Sequence, residues 1–174
     1  QFPFAIVLSC IDSRTSAELI FDQGLGDIFS ARVAGNVVNE DVLGSMEFAC
    51  QVAGSKLIVV LGHSKCGAVK GACDHVHLGH LTGLLNKISP AVHEVEQAGG
   101  AELPPAEFVE KVALENTRQQ MRAILERSPI LEHLFKEGKI GIVGAMYSVE
   151  SGEVAFFEQA FQTPAPAAVM AATR

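Results

Sequence analysis

The sequence predicts an α/β fold built on a mainly parallel sheet. Three observations carry that expectation. Short runs of β-forming residues alternate with segments of helical periodicity along most of the chain. The strongest run, Leu57-Ile58-Val59-Val60-Leu61, has no polar alternation, so both of its faces should be buried, as in a parallel sheet. Hydrophobic residues make up 48% of 174 positions, which is enough to bury a core without staples and rules out disorder for the bulk of the chain.

The elements follow in order. Residues 4–9 form a buried strand ending at Cys10. Residues 16–21 form a short helix, closed by Gly24 and Gly26, and residues 27–33 a second strand. Over 40–53, Val42, Leu43, Met46, Ala49, Cys50 and Ala53 recur at three- and four-residue steps, which predicts a helix stopped by Gly54. The strand over 57–61 is closed by Gly62-His63, and a helix opens over 66–72. A helix over 82–97 should break near Pro90, and the glycine and proline pairs at 99–100 and 104–105 mark a loop. A long helix covers 106–126, with Pro105 at its first turn, and a short one covers 129–136. Two late strands, 140–148 and 154–158, are joined by a turn at Ser151-Gly152. No repeat or internal boundary appears, so residues 1–162 read as one catalytic domain and 163–174 as an Ala/Pro-rich tail.

Composition excludes several classes. Thirteen Lys and Arg against 20 Asp and Glu leave a net charge of −7, so no basic footprint for nucleic acid or anionic membrane exists. No apolar run approaches the roughly 20 residues that span a bilayer. Without Trp and with one Tyr, platforms for stacking bases or sugars are scarce. No signal-peptide pattern precedes the first strand, which gives the cytoplasm as the expected compartment; a periplasmic or organellar address stays open, since the natural start can lie upstream of Gln1.

Two segments concentrate reactive groups: Cys10-Ile11-Asp12-Ser13-Arg14 and His63-Ser64-Lys65-Cys66-Gly67. Both start at the carboxyl end of a predicted strand, where open α/β sheets form their ligand crevice. Taken singly, His63 and Cys66 read as loop residues and Cys10 as a small buried hydrophobe. Together, two thiolates and an imidazole form a zinc-type ligand set. Three protein ligands leave a fourth position for water, the mark of a catalytic site. Two thiolates make the centre formally neutral, so its water should ionise reluctantly, and Asp12, held by Arg14, is placed to orient it. Two other readings stay open: Asp12 as a fourth ligand closing the site, or Asp12–Arg14 as a plain surface ion pair. A phosphate-binding loop over 62–67 fails because Ala68-Val69 stands where Lys-Ser/Thr is required. His75, His77 and His80 offer a metal or proton-transfer cluster, or simply a solvated loop. Cys50 reads as core, and Cys73 has no evident partner.

The Cys-x-Asp-x-Arg and His-x-x-Cys-Gly motifs, with Asp22-Gln23-Gly24-Leu25-Gly26-Asp27 and Arg32-Val33-Ala34-Gly35-Asn36, resemble the β-class carbonic anhydrases. The resemblance runs from Gln1 to about Phe157. It implies a four-stranded parallel sheet core with an added antiparallel strand, in a homodimer or dimer of dimers. It implies reversible hydration of CO₂ to bicarbonate and a proton by a zinc-bound hydroxide, with Cys10, His63 and Cys66 as Zn²⁺ ligands and Asp12–Arg14 as the orienting dyad. By the same resemblance Gln1 and the Gly67 amide meet substrate, and Phe29, Ala34 and Phe48 line the CO₂ pocket, partly from the neighbouring subunit. Phe48 stands where many relatives have Tyr. Val7 stands where relatives with a second bicarbonate pocket have Trp, although Arg32 matches that pocket's arginine. A hydrolase of CS₂ or COS at the same site, or a closed structural zinc module, are the alternatives that the motifs leave open.

Overall fold

The structure, a computed structural model, describes residues 1–158. The expected tail over 163–174 lies outside the described residues. In chain order the elements are β1 (Ala5–Ser9), α1 (Ala17–Ile20), β2 (Ile28–Arg32), α2 (Glu40–Glu47), β3 (Leu57–His63), α3 (Gly67–Cys73), α4 (Gly79–Leu85), α5 (Ser89–Gln97), α6 (Pro105–Arg127), α7 (Pro129–Lys136), β4 (Gly141–Tyr147) and β5 (Val154–Phe156). The sheet order is β2-β1-β3-β4-β5; the first four strands are parallel and β5 is antiparallel to β4. Both expectations, the four-stranded parallel core and the added antiparallel strand, hold.

Every residue of β1 is buried, as is β3 beyond Leu57, which is why neither run shows polar alternation. One face of the sheet sends Ile6, Leu8, Ile58, Val60 and Ile142 against Met46, Met121, Ile124 and Leu131 from α2, α6 and α7. The other face sends Val7, Val59, Leu61 and Ala145 against Ala17 and the partly buried Ile20 and Phe21. Gly62 lets α6 pass close to β3, since a Cβ there would collide with the Thr117 hydroxyl and the Met146 sulfur. Caps fix the helix ends. Asn39 accepts from the Val42 amide at 2.8 Å ahead of α2, and Ser128 accepts from the Leu131 amide at 3.1 Å ahead of α7.

Three boundaries differ from the sequence expectation. The helix expected over 40–53 is α-helical only to Glu47 and continues through Phe48–Val52 as a wider π-helical turn. A single wider turn at the end of an α-helix is too short to change the three- and four-residue spacing read over the whole segment, so periodicity does not mark it. The helical segment expected over 82–97 starts earlier, at Gly79, and breaks near Pro90 as expected, into α4 and α5, with Pro90 in the first turn of α5. A first-turn proline forfeits no helical hydrogen bond, so Pro90 sits just past the break, at the start of the second helix. The strand over 57–61 extends to His63, which puts that side chain on β3 itself. Among the described residues no helix is long and apolar enough to cross a membrane.

Candidate metal centre

Because β1 and β3 are adjacent and parallel, their carboxyl ends lie side by side. Cys10 follows β1, His63 ends β3, and Cys66 caps α3. All three are buried, and their ligand atoms lie within 4.8 Å of one another. The two sulfurs are 4.0 Å apart. Two Zn–S bonds of about 2.3 Å at a tetrahedral angle would set them at about 3.8 Å.

The imidazole is oriented for ligation. His63 Nδ1 lies 2.9 Å from the Ser64 carbonyl, which can only accept, so Nδ1 carries the proton. Nε2 is left with its lone pair, buried and without a hydrogen-bond partner. A buried orphan nitrogen beside two thiols is costly as it stands, and a soft divalent cation satisfies all three atoms at once. The donor set therefore fits Zn²⁺. Among the described residues no fourth Cys, His, Asp or Glu joins the group.

The Ser64-Lys65 turn that brings Cys66 back to His63 is braced on two sides. Lys65 takes the left-handed region with φ +54°, and its amide donates to Glu110 of α6 at 2.6 Å. Ser64 Oγ accepts from the Val149 amide at 3.0 Å.

The electrostatics match a site awaiting a cation. The hydrogen bond from Cys66, against the opposing effect of burial, pulls Cys10 down to about 4. The same hydrogen bond and burial push Cys66 up, so the two thiols share one proton between them. Burial pulls His63 down, but the neighbouring Cys10 sulfur and the Ser64 carbonyl outweigh it and the net shift is upward. Metal binding must therefore release protons. Elsewhere, burial pushes Cys50 and Cys73 up to about 11, which makes both poor nucleophiles.

Asp12 is spoken for by Arg14. Oδ1 accepts from the Arg14 amide at 3.0 Å and from Nε at 2.9 Å, and Oδ2 accepts from Nη2 at 2.7 Å. This bidentate pairing holds the carboxyl well below the usual carboxylate range, chiefly through the Arg14 hydrogen bonds. The loop beneath is pinned by residues that sequence reasoning did not assign to it. Arg32 donates to the Cys10 carbonyl at 3.0 Å and to the Asp12 carbonyl at 2.6 Å, and Thr15 Oγ1 lies 3.1 and 2.9 Å from the same two oxygens. No sequence signal marks this use of Arg32, because its partners are backbone atoms 20 and 22 positions away.

The remaining expected site residues divide. Ala34 sits in the turn beside Cys10, where the neighbouring Gly35 amide donates to the Cys10 sulfur at 3.4 Å. Gly67 opens α3 as an exposed residue, with no atom within 4 Å of where a Cβ would sit. Gln1 lies elsewhere: it precedes β1, packs on Gly26, and is exposed at the far end of the sheet. Phe29 pairs with Ile6, four residues before Cys10, and its ring lies 6.1 Å from that of Phe48, edge-on, along a cavity of about 650 Å³. His75, His77 and His80 are all exposed and form no ligand group.

A parallel α/β sheet with a buried Cys₂His cluster at its strand ends defines a zinc-type enzyme site on a mainly parallel scaffold. The comparisons narrow that class. The carbonic anhydrase family model matches residues 5–154. The chain is 36% identical over 157 residues to carbonic anhydrase 2 of Mycobacterium tuberculosis, covering 87% of this chain and 73% of that protein. It is 35% identical over 159 residues to a carbonic anhydrase of Mycolicibacterium smegmatis, covering 88% and 74%. Its fold superposes on the β-carbonic anhydrase CafA of Aspergillus fumigatus with a TM-score of 0.82 at 29% identity, covering 91% of this chain and 76% of that one. The chain belongs to the β-class carbonic anhydrase family of enzymes.

Proposed function

We propose that this chain hydrates CO₂ reversibly to bicarbonate and a proton, with Zn²⁺ held by Cys10, His63 and Cys66. The observation that carries the reading is the separation of roles at the site. Three buried donors converge, while the nearest carboxylate, Asp12, has both oxygens engaged by Arg14 and stays out of the ligand group. That arrangement favours an open fourth position over a closed Cys₂-His-Asp site. Bound there, Zn²⁺ would supply the Lewis acidity that makes water a nucleophile near neutral pH.

The chain's own groups do the rest. Asp12, kept ionised by Arg14, accepts a hydrogen bond from the attacking water and fixes which lone pair faces the carbon. Arg32 and Thr15 hold the Asp12 carbonyl, so the loop cannot swing the carboxylate away. The Gly67 amide, exposed beside Cys66, is positioned to donate to a substrate oxygen.

Gln1, Phe29 and Phe48 act at a site only if a second copy supplies them. Nine residues of extended chain span about 30 Å, so Gln1 cannot fold back onto its own cluster. The reading is therefore of a dimer in which each protomer's apolar Phe29–Phe48 face and Gln1 complete the partner's pocket, either alone or as a dimer of dimers.

The test is stopped-flow CO₂ hydration by the zinc-loaded protein, stepped from neutral to alkaline pH. The expected result is zinc-dependent hydration that rises with pH, because two thiolates neutralise the metal's charge. Absence of hydration at every pH, with zinc bound and dimer present, would overturn the reading.

A further inference from the structure

One face of α6 carries Val112, Ala113, Met121 and Ile124 into the core, yet Asn116, Thr117 and Gln120 are buried on the same helix. A buried carboxamide without partners costs roughly 1–3 kcal/mol, so its hydrogen bonds show what it is there to hold. Those of Asn116 and Gln120 lead to the metal centre. Gln120 Oε1 accepts from the Val38 amide at 2.8 Å, and its Nε2 donates to Asn116 Oδ1 at 3.1 Å. Asn116 Nδ2 in turn donates to the Gly35 carbonyl at 2.9 Å. The Gly35 amide points the other way and donates to Cys10 Sγ at 3.4 Å. Both ends of the 35–38 segment are thus clamped to α6, and the clamp delivers one N–H to one sulfur. Glycine suits the delivery point. Gly35 has φ +69°, and a Cβ there would lie 2.6 Å from Ile88 Cδ1.

We propose that Asn116 and Gln120 are positioning residues for the metal centre, holding the Gly35 amide on the Cys10 sulfur. This rests on the zinc reading of Cys10, His63 and Cys66. An N–H directed at a thiolate stabilises its charge, fixes the direction of its remaining lone pairs and lowers the electron density it gives the metal. The arrangement matters more here than in a histidine-only site, because two thiolates already neutralise the cation.

The bond is readable directly. In ¹¹³Cd-substituted protein, a scalar coupling between the Gly35 amide proton and the metal through sulfur is expected, and it should vanish in Asn116→Ala. Chelator competition should show zinc held about tenfold more weakly by Asn116→Ala and by Gln120→Met. Ser128→Ala serves as the control. It removes a buried cap about 18 Å further along the helix and should leave zinc affinity unchanged. If Asn116→Ala does not fold, the coupling in the native protein and the Gln120→Met affinity decide the matter. No Gly35 coupling in a protein whose cobalt form shows thiolate-to-metal charge transfer would overturn this inference and leave the zinc reading standing. So would native zinc affinity in Gln120→Met. A cobalt form without that charge-transfer band would overturn both.

Discussion

The two ends of the parallel sheet differ in how complete they are. At the carboxyl end, Cys10, His63 and Cys66 are buried within one protomer, and each is held by hydrogen bonds from the same chain. Toward the amino end, Phe2, Phe4, Leu25 and Phe48 are more than half exposed, and Gln1 meets solvent. One end is finished by intramolecular packing; the other presents apolar surface of the kind that an interface covers. The difference assigns two jobs to two kinds of structure. On the proposed reading, ligand geometry, which tolerates little error, is built into the protomer, and the substrate pocket is completed by assembly.

The sharpest way to break this comparison is at the finished end. Cys66→Ser should cost stoichiometric zinc and reduce CO₂ hydration by more than about 10³-fold, read by metal analysis and stopped flow. Retained zinc with native turnover would mean the cluster is not the centre. Next, Asp12→Asn should keep zinc but lower hydration by about 10²-fold, since the amide cannot accept as an ionised carboxylate does. A loss of metal in that variant would instead mark Asp12 as a ligand.

At the unfinished end the effect should be smaller. Phe48→Glu should shift the oligomer toward monomer in sedimentation and lower activity per protomer about tenfold at dilute protein, while zinc content holds. Monomers of full activity would show that the pocket does not need a partner.

The smallest effect concerns pH. The folded-state pKa of Asp12 is depressed by Arg14, so the pair's contribution to stability is fully present above the ordinary carboxylate range near 4. It is lost only as pH falls from there toward the lower folded value. Carboxyl-carbon NMR should accordingly show no Asp12 titration between pH 5 and 9, and any pH dependence of hydration in that window should survive in Arg14→Lys. An Asp12 inflection near neutrality would contradict the pairing seen here.

Much of the centre was legible because its residues cluster locally. Cys10, Asp12 and Arg14 share one loop, and His63, Cys66 and Gly67 another, each at the end of an unmistakable apolar run. The supporting contacts were not legible, for reasons that particular residues make plain. Arg32 serves carbonyls of Cys10 and Asp12 that no side-chain pattern reveals. Asn116 and Gln120 stand among the charged residues Glu115, Arg118 and Arg122, yet they are buried and bonded to residues some 80 positions earlier.

By itself the sequence determined the α/β class, the parallel character of the central strands and the three residues that converge in the candidate metal centre. Alternating hydrophobic periodicity and the chemistry of Cys and His at strand ends are local properties. Only the tertiary structure decided that β1 and β3 are neighbours, which brings two loops more than 50 residues apart to one crevice. It also decided that Asp12 faces Arg14 instead of joining the ligands, and that Gln1, Phe29 and Phe48 lie away from the crevice of their own chain. Those outcomes depend on strand order, register and the packing of α6 across the sheet, which are set by the sum of many contacts and by no single motif.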